Sequence, residues 1–260
     1  MATRVSIGIA AIICLLSPRS SDAGEDAHGP LRISESRADG SVTSPNWSGY
    51  AVTGKTGSVS AVLGSWVVPQ AACGGSSPKN TGASHWIGID GYTSRTVEQT
   101  GTDSDCANGT PNYYAWYELY PSPGITIHAL SVAAGDIIDA SVVYAGGQFV
   151  ITITDERTQQ TFTTAAPVAN ARRDSAEWIV EDNSTNFTDF GNALFGQDQT
   201  GISGTCSVGL DGANPVPIGH FGALQGHAIT MADTAGTVMA VPSALSADGT
   251  SFSVAWQAVR

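Results

Sequence analysis

Through most of its length the chain carries apolar residues in short alternating runs, each closed by a cluster of turn-forming residues. The clearest runs are "SVSAVLGSWVVP", "SHWIGIDG", "NYYAWYELYP", "GITIHALSV", "DIIDASVVY" and "GQFVITITD". Further along come "QTFTTA", "SAEWIVED", "ALFG", "GTVMAVPSAL" and "SFSVAW". Between them stand "PKNTG", "PSPG", "YAGGQ", "DERTQQ" and "SADGTS", whose Gly, Pro, Asn and Asp favour turns. A side-chain period of two marks strands, and a helical period is nearly absent. So many strands without intervening helices predict an all-β fold, an antiparallel sandwich or barrel. No domain-sized repeat or linker interrupts residues 45–260, which read as one domain.

The start of the chain follows a different pattern. Residues 1–23 hold an early Arg4, an apolar run from Val5 to Leu16, and the small-residue ending Ser21-Asp22-Ala23. This is the form of a removable export signal and is too short for a membrane anchor. Residues 24–44 are polar, rich in Gly and Ser, and unpatterned; they read as a disordered arm or a short propeptide. The expected product is a secreted, extracellular protein.

Charge narrows the partners. With 23 acidic against 11 basic residues the formal net charge is −12, and Lys55 and Lys79 are the only lysines. Such a balance argues against nucleic acid and anionic membranes as partners. Cys14 lies in the export signal, leaving Cys73, Cys106 and Cys206. Export permits disulfides. Cys73 and Cys106 both sit in loop-like stretches, "AACGGSSPKN" and "TDSDCANGTPN", and are expected to pair. Their spacing does not suit zinc, and no metal or cofactor is expected. Sequons stand at Asn46, Asn108, Asn183 and Asn186.

The candidate chemistry emerges from the strand faces. In "SHWIGID", Trp86, Gly88 and Asp90 share the face opposite Ile87 and Ile89. In "NYYAWYELY", Tyr114, Trp116, Glu118 and Tyr120 lie together. In "SAEWIVED", Glu177 and Glu181 oppose Trp178 and Val180. Three strands thus mix carboxylates with aromatics on one face, as a polymer-binding cleft does. The chain lacks a G-x-S-x-G elbow, the Asp-Thr-Gly or Asp-Ser-Gly of aspartic peptidases, and H-E-x-x-H. The five histidines are scattered, and His28 falls in the arm. What remains is carboxylate chemistry, general acid–base work by a Glu.

Taken together, "NWSGY", "WIGIDGYTSRTVEQTG", "YYAWYELYP" and "SAEWIVED", in that order, resemble the peptidase G1 or eqolisin family, the glutamic endopeptidases. The ending "VPSALSADGTSFSVAW" resembles bacterial members. The resemblance implies a sandwich of two curved antiparallel sheets, jelly-roll or concanavalin-like, with a substrate cleft on one sheet. It implies an acid endopeptidase of proteins and peptides, secreted with a propeptide. By motif, the catalytic pair falls on Gln99 and Glu177. The substrate cleft falls on Trp47, Trp86, Asp90, Trp116, Glu118, Tyr120 and Glu181. The implied mechanism is direct attack by a water that Glu177 activates, with Gln99 holding the water and the developing oxyanion. Three features depart from the pattern: Tyr114 replaces an Asp of fungal members, the Trp86–Gln99 spacer is a residue shorter, and Glu98 adjoins the Gln. Two other readings stay open. One is a glycoside hydrolase using Glu118 and Glu177; the other is a non-catalytic lectin-like module on a similar sandwich. A monomer is the default for such a secreted hydrolase.

Overall fold

The computed structural model describes residues 28–258 apart from positions 76 and 185. The expected export signal, residues 1–23, lies outside the described residues. The strands run in chain order from β1 (Glu35–Ser36), β2 (Val42–Ser44), β3 (Trp47–Thr53) and β4 (Val59–Val67) to β5 (Ser84–Ile89) and β6 (Val97–Ala107). There follow β7 (Thr110–Tyr120), β8 (Ile125–Thr126), β9 (Ile137–Ala145), β10 (Gln148–Asp155), β11 (Gln160–Ala166) and β12 (Ser175–Glu181). The last are β13 (Asn192–Gly196), β14 (Ser207–Leu210), β15 (Val216–Pro217), β16 (Gly226–Ala232), β17 (Val238–Pro242) and β18 (Ser251–Trp256). One helical turn, α1 (Gln197–Thr200), interrupts them.

The strands stack in two layers, an antiparallel β-sandwich. The first sheet runs β16–β3–β12–β5–β6–β7, antiparallel throughout. The second runs β11–β10–β9–β4, continued by β13 and β14 on the far edge of β4 and by β18 on β13. Strand β17 pairs with both β16 and β18 and so ties the two sheets along one side.

The core follows from alternation. Ala176, Trp178 and Val180 of β12 and Ile87 and Ile89 of β5 meet Trp66, Ile138, Val142, Ile151 and Ile153 of the second sheet, all fully buried. Removing this apolar area from water is the main drive to fold, at roughly 25 cal/mol per Å². Indole groups also bridge the layers: Trp178 Nε1 donates to the Leu63 carbonyl at 2.8 Å, and Trp66 Nε1 to Thr102 Oγ1 at 2.9 Å.

Three expectations need correction or completion. Residues 24–44 carry no alternation, yet residues 28–31 and 42–44 lie against the fold, while 32–39 are exposed. Glu35 and Ser36 pair with Thr43 and Val42, and β2 adds in parallel to β16 with Val42 and Ser44 buried. Backbone pairing needs no hydrophobic alternation, so the pattern does not reveal it. The run "GITIHALSV" gives only the two-residue β8, which pairs with Trp116 and Tyr117 where the sheet ends. The expected disulfide Cys73–Cys106 is present, with a Cα–Cα distance of 5.6 Å and a sequence separation of 33. Closing a loop of that length contributes about 3 to 4 kcal/mol in the chain-entropy picture. Cys206 is free and buried.

Candidate active site

The outer face of the first sheet is ordered in levels by strand register. On one level Ala51, Glu177, Gly88, Gln99 and Glu118 lie side by side on β3, β12, β5, β6 and β7. The next level holds Gly49, Ile179, Trp86, Gly101 and Trp116; the third holds Trp47, Glu181, Ser84, Asp103 and Tyr114. Alternation alone groups Trp86 with Gly88, Tyr114 with Trp116 and Glu118, and Glu177 with Glu181, and the register brings these groups into one cleft. Neighbouring strands are about 4.8 Å apart, so the Glu177 and Gln99 backbones stand about 10 Å apart with Gly88 between. A Cβ on Gly88 would lie 3.0 Å from the Gln99 Cβ and 3.1 Å from the Trp86 ring. Glycine therefore lets Gln99 and the Trp86 ring pack close to the β5 backbone between the carboxyl and the amide. Gly101 does the same between two indoles, where a Cβ would come within 2.6 Å of Trp86 and 2.9 Å of Trp116.

Glu177 is fully buried, and neither carboxylate oxygen has a hydrogen-bonding partner among the described residues. Burial pushes its pKa well above 4.5. The nearby Ser175 hydroxyl opposes the rise without a bond of ordinary geometry, while the Asp90, Asp174 and Glu98 carboxylates add to it. Gln99 is equally buried; its Nε2 donates to the His28 carbonyl at 2.6 Å and to Glu118 Oε2 at 3.0 Å, while Oε1 has no partner. Glu181 accepts from Trp86 Nε1 at 3.0 Å and Asn46 Nδ2 at 3.3 Å. Burial lifts it to about 8 against the opposing pull of His28, Trp47 and Asn46. Glu98, on the opposite face as alternation requires, is pushed to about 9 by burial and by Asp90, with Thr96 opposing.

Asp90, besides acting on Glu177, has a structural role of its own. Its backbone turns to φ 73 at the end of β5, and the carboxylate is buried. It accepts from the amides of Arg172 at 2.7 Å, Arg173 at 2.8 Å and Asp174 at 3.1 Å. It therefore clamps the loop that leads into Glu177.

The N-terminal arm, which sequence reasoning set aside, lies across this cleft. The His28 ring stacks on Trp116 with centroids 3.7 Å apart and planes within 3°. Trp47 Nε1 donates to the Gly29 carbonyl at 3.1 Å, Asn46 Nδ2 to the Pro30 carbonyl at 3.2 Å, and the Leu31 amide to the Gly91 carbonyl at 3.0 Å. Burial lowers the His28 pKa, but the carboxylates of Asp103 and Glu118 outweigh it and raise it to about 10. Tyr120 packs beside Gly29 at the rim. Beyond His28 the groove continues as an open cavity of about 550 Å³ lined by Tyr114, Asn112, Asp105, Thr126 and His128. The sequence marks His28 only as part of the arm and Asn183 only as a sequon, and does not mark Asp103. Asp103 was two alternation steps from Gln99; the other two gave no pattern.

These carboxyls set a pH dependence of stability. In the unfolded chain each Glu gives up its proton near 4.5, but in the fold Glu181 holds it to about 8, Glu98 to about 9 and Glu177 well past 4.5. Above pH 4.5 the folded state therefore binds more protons than the unfolded state, and stability falls as pH rises through that window. His28, raised from 6.5 to about 10, acts in the same direction above 6.5; His85, lowered by burial to about 4, opposes only between about 4 and 6.5. The expected Tm is lower at pH 8 than at pH 4.5 by at least about 5 °C, a shift of one to two kcal/mol for a chain this size. Thermal melts at equal ionic strength check this, and a higher Tm at pH 8 would contradict it.

Comparison with known proteins agrees in outline with this geometry. The model of the peptidase A4 family matches residues 45–239. The crystal structure of scytalido-glutamic peptidase with a peptide-based transition state analog superposes with a TM-score of 0.64 at 26% identity, covering 82% of this chain and 98% of that one. SCP-B, a member of the eqolisin family in complex with the tripeptide Ala-Ile-His, gives 0.62 at 25% identity over 82% and 98%. Aspergilloglutamic peptidase from Aspergillus niger gives 0.55 at 26% identity over 68% and 99%. Among curated protein sequences no match was found.

Proposed function

Because this chain belongs to the peptidase A4 family, the G1 or eqolisin peptidases, and is a peptide hydrolase, we propose that it is a secreted acid endopeptidase whose chemistry rests on Glu177 and Gln99. The observation that carries the assignment is the 2.6 Å bond from Gln99 Nε2 to a peptide carbonyl, that of His28. An amide already holding a peptide carbonyl is positioned to hold the oxyanion that grows on such an oxygen. The free Oε1 of Gln99 and the unpartnered carboxyl of Glu177 stand on the strands either side of β5 at one level, an acceptor and a base for one attacking water. Binding that water gives the Glu177 carboxylate a hydrogen bond and lowers its pKa toward the working range. Glu177 then takes the water proton as oxygen attacks the carbonyl carbon. The same proton passes to the amine nitrogen as the C–N bond breaks, so no acyl-enzyme forms. Glu118 is three strands from Glu177 and already bonded to Gln99, which disfavours the glycosidase pair.

In this reading residues 1–23 direct export, and the arm is a propeptide that covers the cleft until it is removed. Trp47, Trp86, Trp116, Tyr120 and Glu181 contact substrate, or hold what does, once the arm has left. The active species is expected to begin between Ser41 and Asn46, with a start ahead of Val42 preserving β2. A casein assay near pH 4, run beside a polysaccharide panel with N-terminal sequencing of the active species, tests both points. Polysaccharide cleavage without proteolysis would overturn the peptidase reading. Full activity in a species that retains His28 would overturn the propeptide.

A further inference from the structure

The pocket that holds the His28 ring has more chemistry than a covering arm requires. We propose that the pocket floored by Trp116 and walled by Asp103 and Glu118 is a specificity subsite selecting a histidine side chain in the substrate residue whose carbonyl Gln99 holds. This rests on the role given to Gln99 above.

The fit is specific on three sides. The indole face of Trp116 takes a flat group at 3.7 Å, parallel to within 3°, and favours a cationic one. Each ring nitrogen lies within ion-pair distance of a carboxylate without a hydrogen bond to it: Nδ1 is 3.3 Å from Glu118 Oε2, and Nε2 is 3.8 Å from Asp103 Oδ1. An imidazolium presents an N–H at both edges of one flat ring; a phenyl ring presents none, and a lysine carries its charge at a single tip. The residue's backbone is held as well, its amide donating to Glu118 Oε2 at 3.2 Å and its carbonyl accepting from Gln99. Glu118 Oε1 remains buried without a partner, a spare acceptor in the same wall.

The pocket is also fixed in advance. Trp116 Nε1 donates to Asp103 Oδ1 at 2.6 Å, and the Tyr114 hydroxyl donates to Asp103 Oδ2 at 2.8 Å. Asn183 Nδ2 donates to Ser84 Oγ at 2.6 Å and Asp103 Oδ2 at 3.0 Å and sits 3.2 Å from His28 Nε2. A carboxylate with both oxygens tied by neighbours cannot swing away to solvate itself when the wrong side chain enters. Burial would raise the Asp103 pKa, but His28, Ser84 and Tyr114 together hold it below the ordinary carboxylate range. The imidazole in the pocket is thus the main support of the Asp103 carboxylate, a pairing that a substrate imidazolium would renew.

The test uses the secreted protein as isolated, with five peptides identical except at the residue before the scissile bond, which is His, Arg, Lys, Phe or Leu. Any residual arm competes equally with all five, so ratios of kcat/KM are unaffected. At about pH 4.5 the His peptide should exceed the Leu and Phe peptides by roughly tenfold or more, the scale expected where buried polar groups would otherwise be left unpaired. Asp103→Asn should bring the His/Leu ratio of kcat/KM to within about threefold. Equal or better cleavage of the Leu or Phe peptide by the wild-type protein would overturn the subsite, whether or not the variant folds. An unchanged ratio in folded Asp103→Asn would also overturn it. Cleavage of none of the five by a species that N-terminal sequencing shows to have lost His28 would instead remove the peptidase reading beneath it.

Discussion

Glu177→Gln protein that folds normally should hydrolyse a peptide about 10²- to 10⁴-fold more slowly than wild type, the share that general acid–base catalysis ordinarily supplies. The substitution is nearly isosteric with a protonated carboxyl, the form that burial favours at this position. It should therefore leave packing intact while removing the group that accepts the water proton and returns it to the amine. Glu181→Gln is the matched control. Glu181 is four residues along β12, about 13 Å from Glu177 at 3.3 Å per residue. It is also held protonated to about 8, so an amide there resembles its working state in acid. Its loss should be several-fold smaller. Circular dichroism and kcat/KM on one peptide at about pH 4 separate the two.

Gln99→Ala should lower kcat by about 10² to 10³, as removal of a single oxyanion donor does elsewhere. The amide is a fixed dipole in a dry cleft, aimed at a carbonyl oxygen 2.6 Å away, so it needs no reorganisation as charge develops there. A fall in kcat with KM nearly unchanged marks an interaction made in the transition state. A rise in KM alone would mean that Gln99 only binds substrate.

Much of this site could be read from the chain, and the exceptions have physical causes. Strands β5, β7 and β12 were legible because one face is packed on the second sheet and the other carries aromatics and acids. Alternation then fixed which of Trp86, Trp116, Glu118, Glu177 and Glu181 point together. Strand β6, Val97–Ala107, did not read as a strand although it carries Gln99. Both of its faces hold polar residues, because one lines the cleft and the other satisfies itself with bonds. Thr100 Oγ1 donates to the Trp116 carbonyl, Thr102 accepts from Trp66, and Ser104 Oγ donates to the Pro69 carbonyl. Such partners come from distant segments, so local composition cannot announce them. The bonds of Asp90 to the loop at 172–174 gave no local signal either, because they depend on its backbone leaving the extended region and on partners far along the chain. His28 had no local signal at all; its meaning comes from Trp116, Asp103 and Glu118, which lie far away in sequence.

The proposed dyad is one unit acting on one water, and that is open to a direct measurement. Groups acting as a unit show losses that are far from additive. We therefore expect the double variant Glu177→Gln/Gln99→Ala to retain kcat/KM within about tenfold of Glu177→Gln alone. Single and double variants, all shown to be folded, should be assayed on the same peptide at one acid pH. Multiplied losses in the double variant would contradict a shared water, and more than about a tenth of wild-type activity in folded Glu177→Gln would contradict the mechanism itself.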